Sequence, residues 1–142
     1  VTPLPPIEIK KAPIVICPPN KGAKNIFKHL GEVVEIKNEK QSNKFWATAS
    51  IMAAYYEILN VSSNWLIKKG INKTTANNYI AELFLSLSQD AANKKSQGFK
   101  KLVADSQTPK GLNMQVLNEL KRGKFYNKFT KAMDNINKRV SS

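Results

Sequence analysis

Residue types that enzymes use for covalent or metal chemistry are scarce in this chain. Among 142 residues there is one cysteine and one histidine. Cys17 alone excludes an internal disulfide framework and a cysteine-based zinc site. Such sparing use of thiols is that of a reducing compartment, so a cytoplasmic location is expected. A Ser-His or Cys-His nucleophile pair would have to be built on His29, which follows Lys28 and reads as a surface residue. The sequence contains no GxGxxG, no Walker A loop, no HExxH and no GxSxG. Its longest apolar stretch, from Phe45 to Leu59, is interrupted by Thr48, Ser50 and Glu57. A spanning helix wants about 18 apolar residues without interruption, so no membrane partner is expected. The opening Val1-Thr2-Pro3-Leu4-Pro5-Pro6 has no basic-then-apolar leader and no initiating methionine, which leads us to expect a fragment or processed product.

Positive charge, by contrast, is plentiful. Twenty-three Lys and Arg against ten Asp and Glu give a net charge of +13. That excess would suit a nucleic acid or an anionic surface. Only Arg122 and Arg139 carry the planar guanidinium fork favoured for reading bases and phosphates, however, and the lysines are spread from Lys10 to Lys138. The excess therefore reads as a solvated lysine coat, and nucleic acid is not expected as a partner. With 42% hydrophobic and 23% charged residues, the composition is that of a soluble globular domain.

Along the chain the texture changes once. Pro13-Ile14-Val15-Ile16-Cys17, closed by Pro18-Pro19-Asn20, predicts a buried strand and turn, and Val33-Val34-Glu35-Ile36 predicts a second strand. Between them, Ile26, Phe27 and Leu30 follow helical spacing, with Gly31 placed as a C-cap. This βαβ-like unit is too small to stand alone and reads as the edge of a larger sheet. From about Glu39 onward only helix signals occur. Phe45 to Leu59, apolar nearly all round, predicts a helix continuing to Lys68-Lys69-Gly70 that has to be covered on every side, within a bundle or by a second subunit. Asn72 or Thr74 can cap the next helix, whose positions Ala76, Tyr79, Ile80, Leu83, Phe84, Leu87 and Ala91 keep the 3.6-residue period. A helical turn near Phe99 to Val103, a helix ending at Gly123 and a last helix from about Phe125 to Val140 complete the expected order.

Two places set polar groups in apolar surroundings. Thr48 and Ser50 lie two apart on the apolar helix, and Thr108-Pro109-Lys110-Gly111-Leu112-Asn113 forms a loop that opens into a helix. Free backbone N–H groups and the positive end of the helix dipole suit a carboxylate or phosphate, and Gly111 allows close approach to the backbone. An ordinary Thr-Pro helix cap is the other reading of that spacing.

In order and spacing these segments resemble the C-terminal half of the pyrroline-5-carboxylate reductase family. Val33-Val34-Glu35-Ile36, the helix around Ser50 to Leu59, the segment Gln107 to Asn113 and a final amphipathic helix follow one another as in that family. The opening residues and Ile14 to Asn20 resemble the last strands of its dinucleotide-binding domain. The resemblance implies a mainly α fold: residues 39–142 would form a helical dimerisation bundle of the kind that ends 6-phosphogluconate dehydrogenase, and residues 1–38 the βαβ remnant of a Rossmann-type sheet. It implies hydride transfer from NAD(P)H to a C=N or C=O of a small carboxylate substrate, with the cofactor held mainly by a preceding domain and none bound tightly here. The fragment alone would then be inactive.

Against the family's S-G-S-G-P-A-Y segment, Ser50 and Tyr56 match, whereas Met52 and Ala53-Ala54 depart. Against its S-P-G-G-T-T segment, Thr108, Pro109 and Gly111 match, whereas Lys110 replaces a glycine and Leu112-Asn113 the threonine pair. The resemblance thus implies substrate contacts at Ser50, Thr108, Pro109, Lys110 and Gly111, with Asn113 donating to the reacting nitrogen. Homodimers with interleaved helices are implied as well. A non-catalytic helical dimerisation or interaction module of the same fold is the alternative expectation.

Overall fold

The computed structural model describes residues 4–141, so Val1, Thr2 and Pro3 of the opening segment lie outside the described residues. The fold is mainly α, with a two-stranded parallel sheet near its start. It divides into two compact units. One comprises the described residues up to Ile51 together with those from Thr130 onward, and the other comprises Met52–Phe129.

In the first unit a short 3-10 helix, Pro5–Ile9, precedes β1 (Ala12–Ile16), α1 (Lys21–Phe27), β2 (Gly31–Glu35) and α2 (Glu39–Ala49). β-branched residues dominate β1 and supply Val33 and Val34 of β2, and β1 buries alternate positions Ala12, Ile14 and Ile16. Partners run from Ala12 opposite Gly31 to Ile16 opposite Glu35. The Asn20 side chain caps α1 by accepting from the Ala23 N–H at 2.8 Å, and Lys24 pairs with Glu35 of β2 at 2.6 Å. Asn38 caps α2 in the same way, while Gln41 reaches back to accept the Lys37 N–H at 3.0 Å.

Gly31 does not end the first helix as the sequence predicts; α1 stops at Phe27 and Gly31 opens β2. The long helix from Phe45 to Lys68 is also divided. α2 ends at Ala49 and α3 (Met52–Lys68) begins after Ser50-Ile51. Ser50 Oγ donates to the Ala47 carbonyl at 2.7 Å and the Ile51 N–H to the Thr48 carbonyl at 3.3 Å, so local three-residue bonds replace the continuing helical ladder.

The second unit is built on α3 and α4 (Lys73–Asn93), joined through Gly70 at φ +92° and the Asn72 cap, which accepts the Thr75 N–H at 2.9 Å. Ala76 and Ile80 are buried, and Tyr55 meets Phe84 edge to face at 6.1 Å. Ser63, also buried, donates to Asn77 Oδ1 at 2.6 Å across the two helices. α3 is thus covered along one side by α4 and is not enclosed. Tyr56, Val61 and Trp65 on α3, and Tyr79, Leu85 and Leu87 on α4, are each more than half exposed. α5 (Phe99–Asp105) and α6 (Leu112–Arg122) follow, and α7 (Phe125–Ser141) starts in this unit and ends in the first.

Candidate functional site

The loop between α5 and α6 holds four of the six predicted site residues, Thr108, Pro109, Lys110 and Gly111, and the first turn of α6 adds Asn113. Thr108 to Gly111 closes a turn in which the Gly111 N–H donates to the Thr108 carbonyl at 2.8 Å. Pro109 presets φ at the second position, and Lys110 at the third has φ +60°. That is the pattern of a type II turn, whose third position favours glycine because a β-carbon there crowds the backbone. Gly111 is required for a different reason: a β-carbon on it would collide with the Thr108 hydroxyl and lie 2.9 Å from the Thr108 carbonyl oxygen.

Gly111 is also the N-cap of α6 and supplies no side-chain cap to the first turn. Backbone N–H groups at Leu112, Asn113 and Met114 therefore have no intrahelical partner at the positive end of the helix, and no acidic residue stands in that turn. Thr108, Pro109 and Lys110 are exposed, as is Asn113. Asp105, the nearest carboxylate in the chain, is paired with Lys101 at 2.7 Å. The arrangement is electropositive and can receive an anion. Asn113 Nδ2 donates to the Ser106 carbonyl at 2.9 Å, across seven residues. Sequence reasoning missed Ser106, because a backbone carbonyl takes part whatever its side chain.

Ser50, the sixth predicted residue, belongs to the first unit, where its hydroxyl is engaged with the Ala47 carbonyl in a part-buried hydrogen bond. That unit holds a concavity of about 430 Å³ lined by Cys17, Glu39, Asn43 and Trp46 among others, and none of the predicted site residues borders it. Among the described residues, no group of three or more His, Cys, Asp or Glu could hold a metal ion, and no helix is long and apolar enough to cross a membrane.

The family profile described as pyrroline-5-carboxylate reductase dimerisation matches residues 39–142. The chain belongs to this family. The chain also has counterparts in fold among solved structures. A pyrroline-5-carboxylate reductase from Coxiella burnetii superposes with a TM-score of 0.82 at 21% identity, covering 99% of this chain and 54% of that one. Pyrroline carboxylate reductase from Plasmodium falciparum, solved with NADP bound, gives 0.75 at 19% identity over 94% of this chain and 53% of its own. The 1-pyrroline-5-carboxylate reductase from Streptococcus pyogenes gives 0.77 at 19% identity, with 94% and 54% covered. The chain therefore spans about half the length of these reductases. No curated protein sequence matches it.

Proposed function

We propose that this chain is the C-terminal part of an NAD(P)H-dependent oxidoreductase that reduces a C=N or C=O bond of a small carboxylate, as in proline biosynthesis. Residues 39–142 serve as its dimerisation and substrate domain, and residues 1–38 as the tail of the dinucleotide-binding domain. The observation that carries this reading is the family match over residues 39–142, which includes the whole Thr108 to Asn113 loop. The exposed apolar residues of α3 and α4 support a homodimer with interleaved helices. We place the protein in the cytoplasm.

When bound, NAD(P)H would supply the hydride. The residues present do not form the site for its phosphates: the six glycines stand singly, and no glycine-rich turn joins either strand to the helix after it. This chain's own residues bind and orient. The backbone from Thr108 to Gly111 and the first turn of α6 hold the substrate carboxylate, and Asn113 offers an amide proton to the reacting nitrogen. Ser50 is proposed as a further substrate contact on the strength of the family resemblance alone. Lys110 adds a cation where the family resemblance puts glycine, which favours an imine or keto acid with a second acidic group over pyrroline-5-carboxylate itself.

The test is to follow NAD(P)H absorbance with this chain extended by a dinucleotide-binding half, offering pyrroline-5-carboxylate and dicarboxylate imines or keto acids. Turnover that prefers the dicarboxylates, and loses the preference in Lys110→Ala, supports the reading. Absence of turnover with every acid, alongside a stable dimer, would leave the non-catalytic module of the same fold, a reading favoured by the departures at Met52, Lys110 and Leu112.

A further inference from the structure

We propose that the corner between α6 and α7 is a binding surface for single-stranded nucleic acid, with Lys121, Arg122, Lys124 and Lys128 on the phosphates and Phe125 and Tyr126 against the bases. Lysines are spread along the whole chain, but the carboxylates that answer them are not. Elsewhere exposed lysines have a carboxylate beside them: Lys24 pairs with Glu35, Lys94 with Asp90 and Lys101 with Asp105. Between Glu119 and Asp134 the sequence has no acidic residue, and among the described residues no ion pair reaches any of the four corner cations. The Glu119 carboxylate itself accepts from Gln115 at 3.0 Å, one turn back along α6.

The backbone brings these cations together. The Lys124 N–H donates to the Lys121 carbonyl at 2.9 Å, and the Lys128 N–H donates to the Lys124 carbonyl at 3.0 Å. One helix thus passes into the next within a four-residue turn, held with Lys124 at φ +56°, and Lys124 and Lys128 stand one helical turn apart on one side of α7. All four cations are exposed, and like charges at that spacing repel. A phosphate backbone relieves the repulsion and gives up its condensed counterions in doing so. The rings decide which polyanion fits. Phe125 stacks on Phe129 with centroids 6.3 Å apart and meets Tyr126 edge to face at 5.3 Å, yet Phe125 and Tyr126 stay 38% and 40% exposed. Fixed rings beside cations suit unpaired bases, which stack on aromatic side chains whatever their sequence. A duplex hides its base faces and an acidic peptide has none. An anionic membrane wants an apolar helix face free to enter it, whereas Phe129, Met133 and Ile136 of α7 are already partly buried.

The experiment is fluorescence anisotropy of a labelled oligouridine of about 15 nucleotides, titrated with the full 142-residue chain from about 50 to 200 mM salt. Four phosphate contacts, each contributing roughly 0.7 on a single strand, predict a slope of log affinity on log salt of about −3. Lys124→Ala/Lys128→Ala should flatten that slope by about 1.4 and weaken binding about tenfold or more at the lowest salt. Tyr126→Leu should weaken binding about fivefold or more and leave the slope unchanged, because stacking does not depend on counterions. Lys37→Ala/Lys40→Ala removes the same charge beside α2 and should bind within about twofold of wild type. A bromouridine oligomer crosslinked by ultraviolet light to the unaltered chain should attach within residues 121–129, a readout that needs no variant to fold. Equal losses from the two lysine pairs would leave only diffuse charge and overturn the site, as would crosslinks that map outside that segment. Duplex DNA, or vesicles of phosphatidylglycerol in phosphatidylcholine, bound as tightly as oligouridine and weakened alike by Lys124→Ala/Lys128→Ala would overturn the assignment to a single strand.

Discussion

Gly31 lies directly beside Ala12 across the parallel pair, at φ +153°, where a β-carbon would collide with the Ala12 carbonyl oxygen. The obstacle is backbone at the first pair of the ladder, so it cannot swing aside as a side chain could. Gly31→Ala is therefore expected to destabilise the first unit by about 2–4 kcal/mol, through combined strain and lost pairing. Urea denaturation followed by circular dichroism checks this; a midpoint unchanged from wild type would mean that the strands pair in another register.

Ser63 and Asn77 make a second, smaller prediction. Their 2.6 Å hydrogen bond is a polar contact between α3 and α4, and Asn77 is exposed enough to find water if the partner is lost. Ser63→Ala should cost about 1 kcal/mol, the net value of an ordinary hydrogen bond. Chemical denaturation of the second unit, followed by Trp65 fluorescence, measures it.

Self-association should be tight and should depend on the exposed side of α3. Val61, 57% exposed, and Trp65, 59% exposed, lie one helical turn apart on that side. Sedimentation across a concentration range is expected to give a dimer for the wild type. Val61→Glu places a charge in the exposed patch that the dimer would cover and should weaken the dimer by tenfold or more, a cost of about 1.4 kcal/mol or greater. A monomeric wild type would remove the interleaved dimer from the functional reading.

Lys110 offers a way to separate stability from recognition. Its left-handed backbone costs a side-chain-bearing residue on the order of 1 kcal/mol relative to glycine. Lys110→Gly is expected to raise the thermal midpoint slightly while weakening succinate binding at low salt by a few-fold, since an exposed ion pair is worth about 0.2–1 kcal/mol. Isothermal titration at two ionic strengths checks it: equal succinate affinity in both proteins would show that the ammonium contributes nothing to the loop's anion.

Much of the helical order was open to reading from the sequence because it rests on local causes. The period of Ala76, Ile80, Leu83 and Phe84, the Asn72 cap and Gly123 each act within a turn or two of chain, and α4 and α6 follow them. The loop at Thr108 to Gly111 was legible for the same reason: proline and glycine constrain their own dihedral angles. Parallel pairing of β1 and β2 follows from a helix lying between two short strands.

Other features depend on groups that meet only once the chain is folded. Sequence placed Gly31 at a helix end because glycine is common there, whereas the approach of the Ala12 backbone decides its position in β2. Ser50 interrupts the apolar helix through hydrogen bonds that hydrophobic periodicity does not register. Apolar composition along α3 demanded cover without saying which side α4 would supply; packing with Phe84 and Asn77 decided that and left Val61 and Trp65 exposed. The Ser106 carbonyl beneath Asn113 was likewise invisible, because every residue carries a carbonyl and only the tertiary path brings one to that amide. Sequence by itself therefore determined most of the helices, the Asn72 cap and the Thr108 to Gly111 turn chemistry, which short-range sterics and hydrogen bonding control. Tertiary structure decided register, covered faces and the partner of Asn113, because those depend on which distant backbone and side-chain atoms come within contact distance.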